Sequence, residues 1–130
     1  MTTYNCANHI GQAVKSILDQ TYRSFELLII DDGSTDNTEE IIKQFEDPRI
    51  SYVKNNHLGI GAAANTGLKL AKYNWITRFD SDDICHPKLL EIQIKYLENQ
   101  YVIVSSYCAY FKKDKIIYVT ESGNSSEKVK

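Results

Sequence analysis

Asp80-Ser81-Asp82-Asp83 sets three carboxylates within four residues. If the segment is the end of a strand, alternation puts Asp80 and Asp82 on one side, where both can converge on one cation. Hard cations such as Mg²⁺ and Mn²⁺ favour carboxylate oxygens and leave coordination positions open for phosphate oxygens. A metal held there would neutralise a diphosphate and stabilise it as a leaving group. Taken alone, the pattern is short and common, and a solvated acidic turn before a helix explains it better. A calcium loop is excluded. Asp80, Asp82 and Glu91 fall at its first, third and twelfth positions, but Cys85 stands where glycine is required and Pro87 lies inside the loop.

Two further segments could meet a nucleotide. In Asp31-Asp32-Gly33-Ser34 the glycine permits a tight turn, and a short carboxylate can accept from a base N–H or a ribose hydroxyl. Taken alone, the segment is better read as a plain turn with a helix cap. Gly59-Ile60-Gly61-Ala62-Ala63-Ala64 approximates the G-x-G-x-x-A dinucleotide fingerprint, with acids about 20 residues on. That fingerprint requires its first glycine directly after a strand, whereas Asn55 to Leu58 intervene here, and Asp80 belongs to a cluster rather than standing alone. A dinucleotide-binding module is therefore the lesser alternative. His57 and His86 are isolated and read as loop residues, while Tyr4 in the opening loop could stack on a base or simply pack.

The totals narrow the class. The chain has 130 residues, 42% hydrophobic and 25% charged, an ordinary globular balance for one domain. Its net charge of −2 argues against a nucleic-acid partner. It also means that a phosphate-rich ligand would need a cation or backbone N–H groups. Cys6, Cys85 and Cys108 are odd in number and widely spaced, without zinc spacing, and read as reduced thiols of a cytoplasmic protein. Asn124-Ser125-Ser126 fits a glycosylation triplet of a kind common by chance. No apolar run reaches the roughly 18 residues of a membrane span. A location at the cytoplasmic face of a membrane stays compatible with that.

The elements that must position these residues follow from apolar periodicity. Ile10, Val14, Ile17 and Leu18 mark a helix from about Asn8 to Gln20. Phe25 to Ile30 reads as a buried strand, and Asp36 with Glu39 starts a helix carrying Ile41, Ile42 and Phe45. Ile50 to Lys54 is a second strand. An alanine-rich helix with Leu68 and Ala71 inward comes next, then a third strand, Asn74 to Phe79. Pro87 opens a helix striped by Leu90, Ile94 and Leu97. Tyr101 to Tyr107 reads as a fourth strand, and Phe111 to Val119 as a hairpin through Lys112-Lys113-Asp114. This alternation predicts an α/β fold with a largely parallel, doubly wound sheet, formed by residues 1–120, with a polar disordered tail over 121–130. Ligands of such sheets bind beyond the carboxyl ends of the strands, so both acidic clusters should face one crevice.

Read together, these segments resemble the inverting glycosyltransferases of family 2, which have the GT-A fold. Thr3-Tyr4-Asn5 is similar to the family's T-Y-N loop, and Ser16 to Tyr22 to its S-x-L-x-Q-T-Y helix end. Phe25 to Asp36 resembles F-E-x-x-x-x-D-D-G-S-x-D, and Asn65-Thr66-Gly67-Leu68 resembles N-x-G-L. Phe79 to Asp83, followed by Pro87, resembles the metal-binding D-x-D-D segment. The five motifs occur in order. The resemblance implies transfer of a sugar from a nucleotide-diphosphate sugar, with UDP as the nucleotide, to a glycan, lipid or protein acceptor. It implies that Thr3 and Tyr4 line the nucleobase pocket, Asp32 contacts the base, Asn65 supports the nucleotide loop, and Asp80 and Asp82 hold ribose and a Mn²⁺ or Mg²⁺ ion, with Asp82 the direct metal ligand.

Three departures shape the expectation. The apolar strand that the family carries before T-Y-N is lacking, and Met1 stands in its place. Losing a central strand would leave buried backbone groups unpaired, at about 1–3 kcal/mol each, so a destabilised or differently closed sheet is expected. Gly61 to Ala64 holds no Arg or Lys where many members do. The family's catalytic base is an acidic residue of a later half that also shapes the acceptor site, and that half is absent here. A donor-binding fragment without transferase activity is accordingly the main alternative.

Overall fold

Leu27-Leu28-Ile29-Ile30 is a continuous apolar run, the pattern of a parallel strand covered on both faces. It forms β2 (Leu27–Asp31) of a three-stranded parallel sheet in the computed structural model, which describes residues 1–97, 108–112 and 115–120. β1 (Thr2–Thr3) lies on one side of β2 with Thr2 opposite Ile30, and β3 (Ile50–Lys54) lies on the other with Leu27 opposite Ile50. The helices are α1 (Ile10–Leu18), α2 (Thr38–Lys43), α3 (Ile60–Leu70) and α4 (Leu89–Leu97). Strands β4 (Cys108–Lys112) and β5 (Lys115–Thr120) make an antiparallel pair with a register shift at Tyr110/Phe111. Met1–Glu91 forms one compact unit and Ile92–Lys130 a second.

Strand alternation sorts the core of the first unit. Leu27 and Ile29 pack with Ile10, Val14 and Ile17 of α1 and Ile42 of α2, and Cys85 joins this cluster. Ile30 points the other way, toward α3, where its Cγ1 lies 3.5 Å from the place a Cβ on Gly67 would occupy. The sheet is thus sandwiched, α1 and α2 on one face and α3 on the other. This is the α/β arrangement with a parallel sheet that the sequence predicts.

Several elements differ from expectation. The opening loop holds a two-residue strand: Ile30 donates from its N–H to Met1 O, and the terminal ammonium of Met1 donates to Leu28 O, each at 2.9 Å. Asn74 to Phe79 forms no named strand; only Asp80 makes a parallel bridge, to Thr2. Its would-be neighbour β1 is two residues long, so a ladder has almost nothing to run along, and Trp75 and Ile76 are exposed. On α3 the inward residues are Ala63 and Gly67, one helical turn apart, while Leu68 is exposed. Pairing of β4 starts at Cys108, three residues earlier than the expected hairpin. The strand predicted over 101–107, the turn residues Lys113-Asp114 and the tail over 121–130 lie outside the described residues.

Candidate functional site

The carboxyl ends of β1 and β2, the start of α3 and the acidic segment after residue 79 converge on one cavity of about 320 Å³. Thr3, Tyr4, Asp32, Asp80 and Asp82 line it, together with His57, Gly59 and Ser81. Five of the six residues singled out from sequence therefore meet. The sixth, Asn65, is exposed on α3 and does not line the cavity. A larger cavity of about 500 Å³ opens between α1 and α2, lined by residues such as Gly11, Lys15, Ile41 and Phe45. Among the described residues its lining holds no carboxylate and none of the motif aspartates; Asp32, Asp80 and Asp82 line the smaller cavity.

The two aspartates at the end of β2 serve different structures. Asp31 is fully buried; it accepts from the Ser34 N–H at 2.7 Å and from the Tyr52 hydroxyl at 2.6 Å. Burial first, and then the hydrogen bond to Asp31, push the Tyr52 phenol far above its ordinary range. Asp32 turns toward α3. Its Oδ1 accepts the Leu58 N–H at 2.9 Å and its Oδ2 the Gly59 N–H at 2.8 Å. A carboxylate offers about four acceptor sites, so these bonds leave capacity for a ligand. The same loop is fixed by the Asn55 N–H, which donates to Asp31 O at 2.7 Å. At His57 the backbone is left-handed, φ 52°, and its Nδ1 lies 3.0 Å from Asp32 O. The His57 ring stacks on Tyr4, centroids 4.3 Å apart at 27°.

Gly33 is a backbone requirement rather than a filler. Its φ is +82°, and a Cβ there would sit 2.9 Å from the His57 N. Behind the turn, the opening loop is stapled to the segment after it. Asn5 N donates to Ser34 Oγ, Thr35 N to Asn5 Oδ1, Cys6 N to Thr38 Oγ1 and Ala7 N to Asp36 Oδ2, all at 2.8–3.0 Å. Burial works to raise the Asp36 pKa, but hydrogen bonds from Thr38 and Ala7 outweigh it and hold the carboxyl below its usual range. Asp36 also accepts the Thr38 N–H, close to the capping role its spacing predicts, although Asn37 is the first flanking residue of α2.

At the acidic end Asp80, Ser81 and Asp82 all line the cavity, Ser81 buried and Asp82 exposed; the segment is a turn after an isolated bridge, so strand alternation does not sort its side chains as expected. Asp80 Oδ1 pairs with Arg78 at 3.0 Å. Burial, then the charges of Asp82 and Asp80, raise the Asp83 carboxyl above its usual range. Among the described residues no group of three or more His, Cys, Asp or Glu side chains is placed to hold a metal ion. Two carboxylates on one cavity wall suit a cation that takes its other ligands from a phosphate and water, not an all-protein cage. Thr3 lines the cavity, and its buried hydroxyl oxygen has no hydrogen-bond partner among the described residues. An unpaired buried polar atom on a cavity-lining residue suits a ligand contact.

Sequence reasoning gave Tyr52 and His57 no role, and it read Asn5, Ser34 and Asp36 only as parts of a loop, a turn and a helix start. Their pairing depends on contacts between residues 21 to 53 positions apart in the chain, for example Tyr52 with Asp31 and His57 with Tyr4, which no local pattern encodes. Among the described residues no helix is long and apolar enough to cross a membrane.

The fold has counterparts among known proteins. The family described as "Glycosyl transferase family 2" matches residues 1–128. A similar curated relative is the UDP-Glc:alpha-D-GlcNAc-diphosphoundecaprenol beta-1,3-glucosyltransferase WfaP of Escherichia coli, 40% identical over 118 residues, covering 90% of this chain and 47% of the relative. Glycosyltransferase GlyA of Streptococcus pneumoniae is 35% identical over 126 residues, covering 94% and 18%. The chain thus spans about half, or less, of the length of such relatives. Among solved structures, S. aureus TarS 1-349 in complex with UDP-GlcNAc is similar at TM-score 0.71 and 26% identity, covering 75% of this chain and 30% of that one. The complex of the same protein with UDP gives 0.67 and 27%, covering 75% and 30%. The parallel sheet is that of the GT-A fold, and the chain belongs to glycosyl transferase family 2.

Proposed function

We propose that this chain binds a UDP-sugar donor in the 320 Å³ cavity and supplies the donor half of an inverting, metal-dependent sugar transfer. The observation that carries the reading is the convergence of Thr3, Tyr4, Asp32, Asp80 and Asp82 on that single cavity. The similarity to a TarS structure that holds UDP-GlcNAc supports the choice of nucleotide and donor class. WfaP, by its name, acts on a diphosphoundecaprenol-linked sugar; a lipid-linked acceptor, and with it work at a membrane surface, is the corresponding reading here.

In this reading Thr3 and Tyr4 flank the base, Thr3 through its unpartnered hydroxyl. Asp32 holds the 58–59 backbone so that the loop forms one wall, and keeps acceptor capacity for the base. Asp80 and Asp82 would hold Mn²⁺ or Mg²⁺, with Asp82 the direct ligand, while Arg78 orients Asp80. The ion's chemistry is neutralisation of the leaving diphosphate. Transfer itself requires an acceptor hydroxyl to attack the anomeric carbon as a carboxylate removes its proton, which inverts the configuration. None of the cavity residues is assigned as that base.

Calorimetric titration of UDP into the full chain, with and without Mn²⁺, tests the proposal. Binding is expected only with the metal and is expected to be lost in Asp82→Ala. A folded chain that ignores UDP in both conditions would show that family membership here records ancestry rather than donor binding. A preference for NAD without metal would favour the dinucleotide alternative. UDP binding without any donor hydrolysis or transfer would mark a donor-binding fragment.

A further inference from the structure

Among the described residues, the cavity that would receive a diphosphate is lined by the carboxylates Asp32, Asp80 and Asp82 and by no lysine or arginine. Arg78 pairs with Asp80 but is not among the lining residues. One lining side chain among the described residues can become a cation: His57. Its placement is specific. Nδ1 lies 3.0 Å from the Asp32 carbonyl oxygen and 3.3 Å from Asp32 Oδ2. Both neighbours are acceptors, so Nδ1 carries a hydrogen, and the ring's chemistry is left to Nε2. The ring plane is set by its stack on Tyr4. The side chain nevertheless keeps 59% of its surface exposed, at a cavity wall where Asp32 is 6% exposed. This is a ring held by one nitrogen and one face, with its other nitrogen unassigned.

We infer that His57 is a diphosphate-binding residue of the donor site, the imidazolium Nε2–H donating to a phosphate oxygen while Nδ1–H stays on Asp32. The inference rests on the donor-site reading above. Protonation of Nε2 completes the step, the proton coming from solvent as the anionic ligand enters. The charged or titratable groups around the ring are Asp32 at the end of β2, Tyr4 in the opening loop, and Asp80 and Asp82 on the same cavity lining. A hydrogen bond between two charged groups at a partly exposed site corresponds to about tenfold in affinity.

The test is calorimetric titration of the full chain in Mn²⁺ with UDP and, separately, with uridine, which has the base and ribose but no phosphate. His57→Gln and His57→Phe are expected to weaken UDP about tenfold and uridine by less than about twofold, while His57→Arg keeps UDP near wild type. All three side chains meet the same left-handed backbone at φ 52°, so its strain cancels among them. In the wild type, titration in buffers of different ionisation enthalpy should reveal proton uptake with UDP and none with uridine; this measurement needs no variant to fold. Full UDP affinity in His57→Phe would overturn the inference in favour of ring stacking alone. Equal losses for UDP and uridine would reduce His57 to a support for Tyr4, and absence of proton uptake would remove the cation. Variants that match wild type sink His57 while leaving the donor site standing. A wild type that binds neither ligand takes both down.

Discussion

Asp31 and Asp32 are neighbours in sequence, yet strand alternation sends their side chains to opposite sides of the sheet. Asp31 is a buried anchor whose second oxygen depends on the Tyr52 hydroxyl. Tyr52→Phe leaves that oxygen without its donor and is expected to cost about 1–3 kcal/mol of stability, read as a lower urea midpoint. An unchanged midpoint would mean that water replaces the phenol freely. Gly33 sits between these aspartates and the 55–59 loop. Gly33→Ala meets two penalties at once, a positive φ and a Cβ 2.9 Å from the His57 N. The backbone conformation alone costs on the order of 1–3 kcal/mol for a non-glycine residue. Moving His57 would also loosen its stack on Tyr4, so UDP affinity should fall even in the fraction that stays folded. A variant with wild-type melting temperature and affinity would contradict the tight turn described here.

The elements were legible where a local rule governs them. β3 falls on Ile50–Lys54 as its apolar run predicts, and α1 follows the spacing of Ile10, Val14 and Ile17 within one or two residues of the expected ends. Asn74 to Phe79 defeats the same rule, because a strand needs a partner and β1 offers only Thr2–Thr3 beside it. On α3 the apolar pattern predicts Leu68 inward, but the buried residue is Ala63, and close packing against Ile30 selects Gly67. A polar residue also does what the apolar pattern cannot show. Gln20 is fully buried just beyond α1; its Nε2 lies 2.8 Å from His86 O and 3.0 Å from Cys85 Sγ, and its Oε1 accepts the Leu90 N–H at 3.0 Å. It ties α1 to the chain that leads from the acidic cluster into α4. Gln20→Leu keeps the volume and strands those backbone partners, at roughly 1–3 kcal/mol for each one left unpaired. The expected result is a clear loss of thermal stability together with weaker metal-dependent UDP binding, since residues 80–85 lose a brace. Loss of neither would show the Gln20 contacts to be dispensable.

At the scale of the molecule, the convergence of the two acidic segments was legible because parallel sheets put strand ends on one side: Asp32 and Asp80 are 48 positions apart, Asp32 follows β2, and a parallel bridge to Thr2 brings Asp80 to the same cavity. What it could not convey was the lining supplied by a loop such as that of His57, whose position depends on Gly33 and Asp32 rather than on any period. Charge acts at this scale too, and the response to acid follows from its signs. Hydrogen bonds from Lys43 and Lys54 hold the Glu39 carboxyl at about 2, and those from Arg49 hold Asp47 at about 2. Unfolded carboxyls titrate near 4, so both groups bind protons more weakly folded than unfolded. Their contribution to stability is therefore fully present above about pH 5 and is lost as pH falls through 4 toward 2. Asp83 opposes them: with its pKa raised in the folded state, its contribution is present at low pH and lost as pH rises through the carboxylate range. The pairs of Glu39 and Asp47 lie at the surface, and salt screens such pairs. Melting temperature should decline from pH 5 to pH 2, and less steeply in 1 M salt than in 0.1 M. Arg49→Gln should flatten the part due to Asp47, whereas Asp83→Asn should leave the molecule steeper in acid because the opposing group is gone. An acid limb that is as steep in Arg49→Gln and in high salt as in the wild type would show that the pairs of Glu39 and Asp47 do not set it.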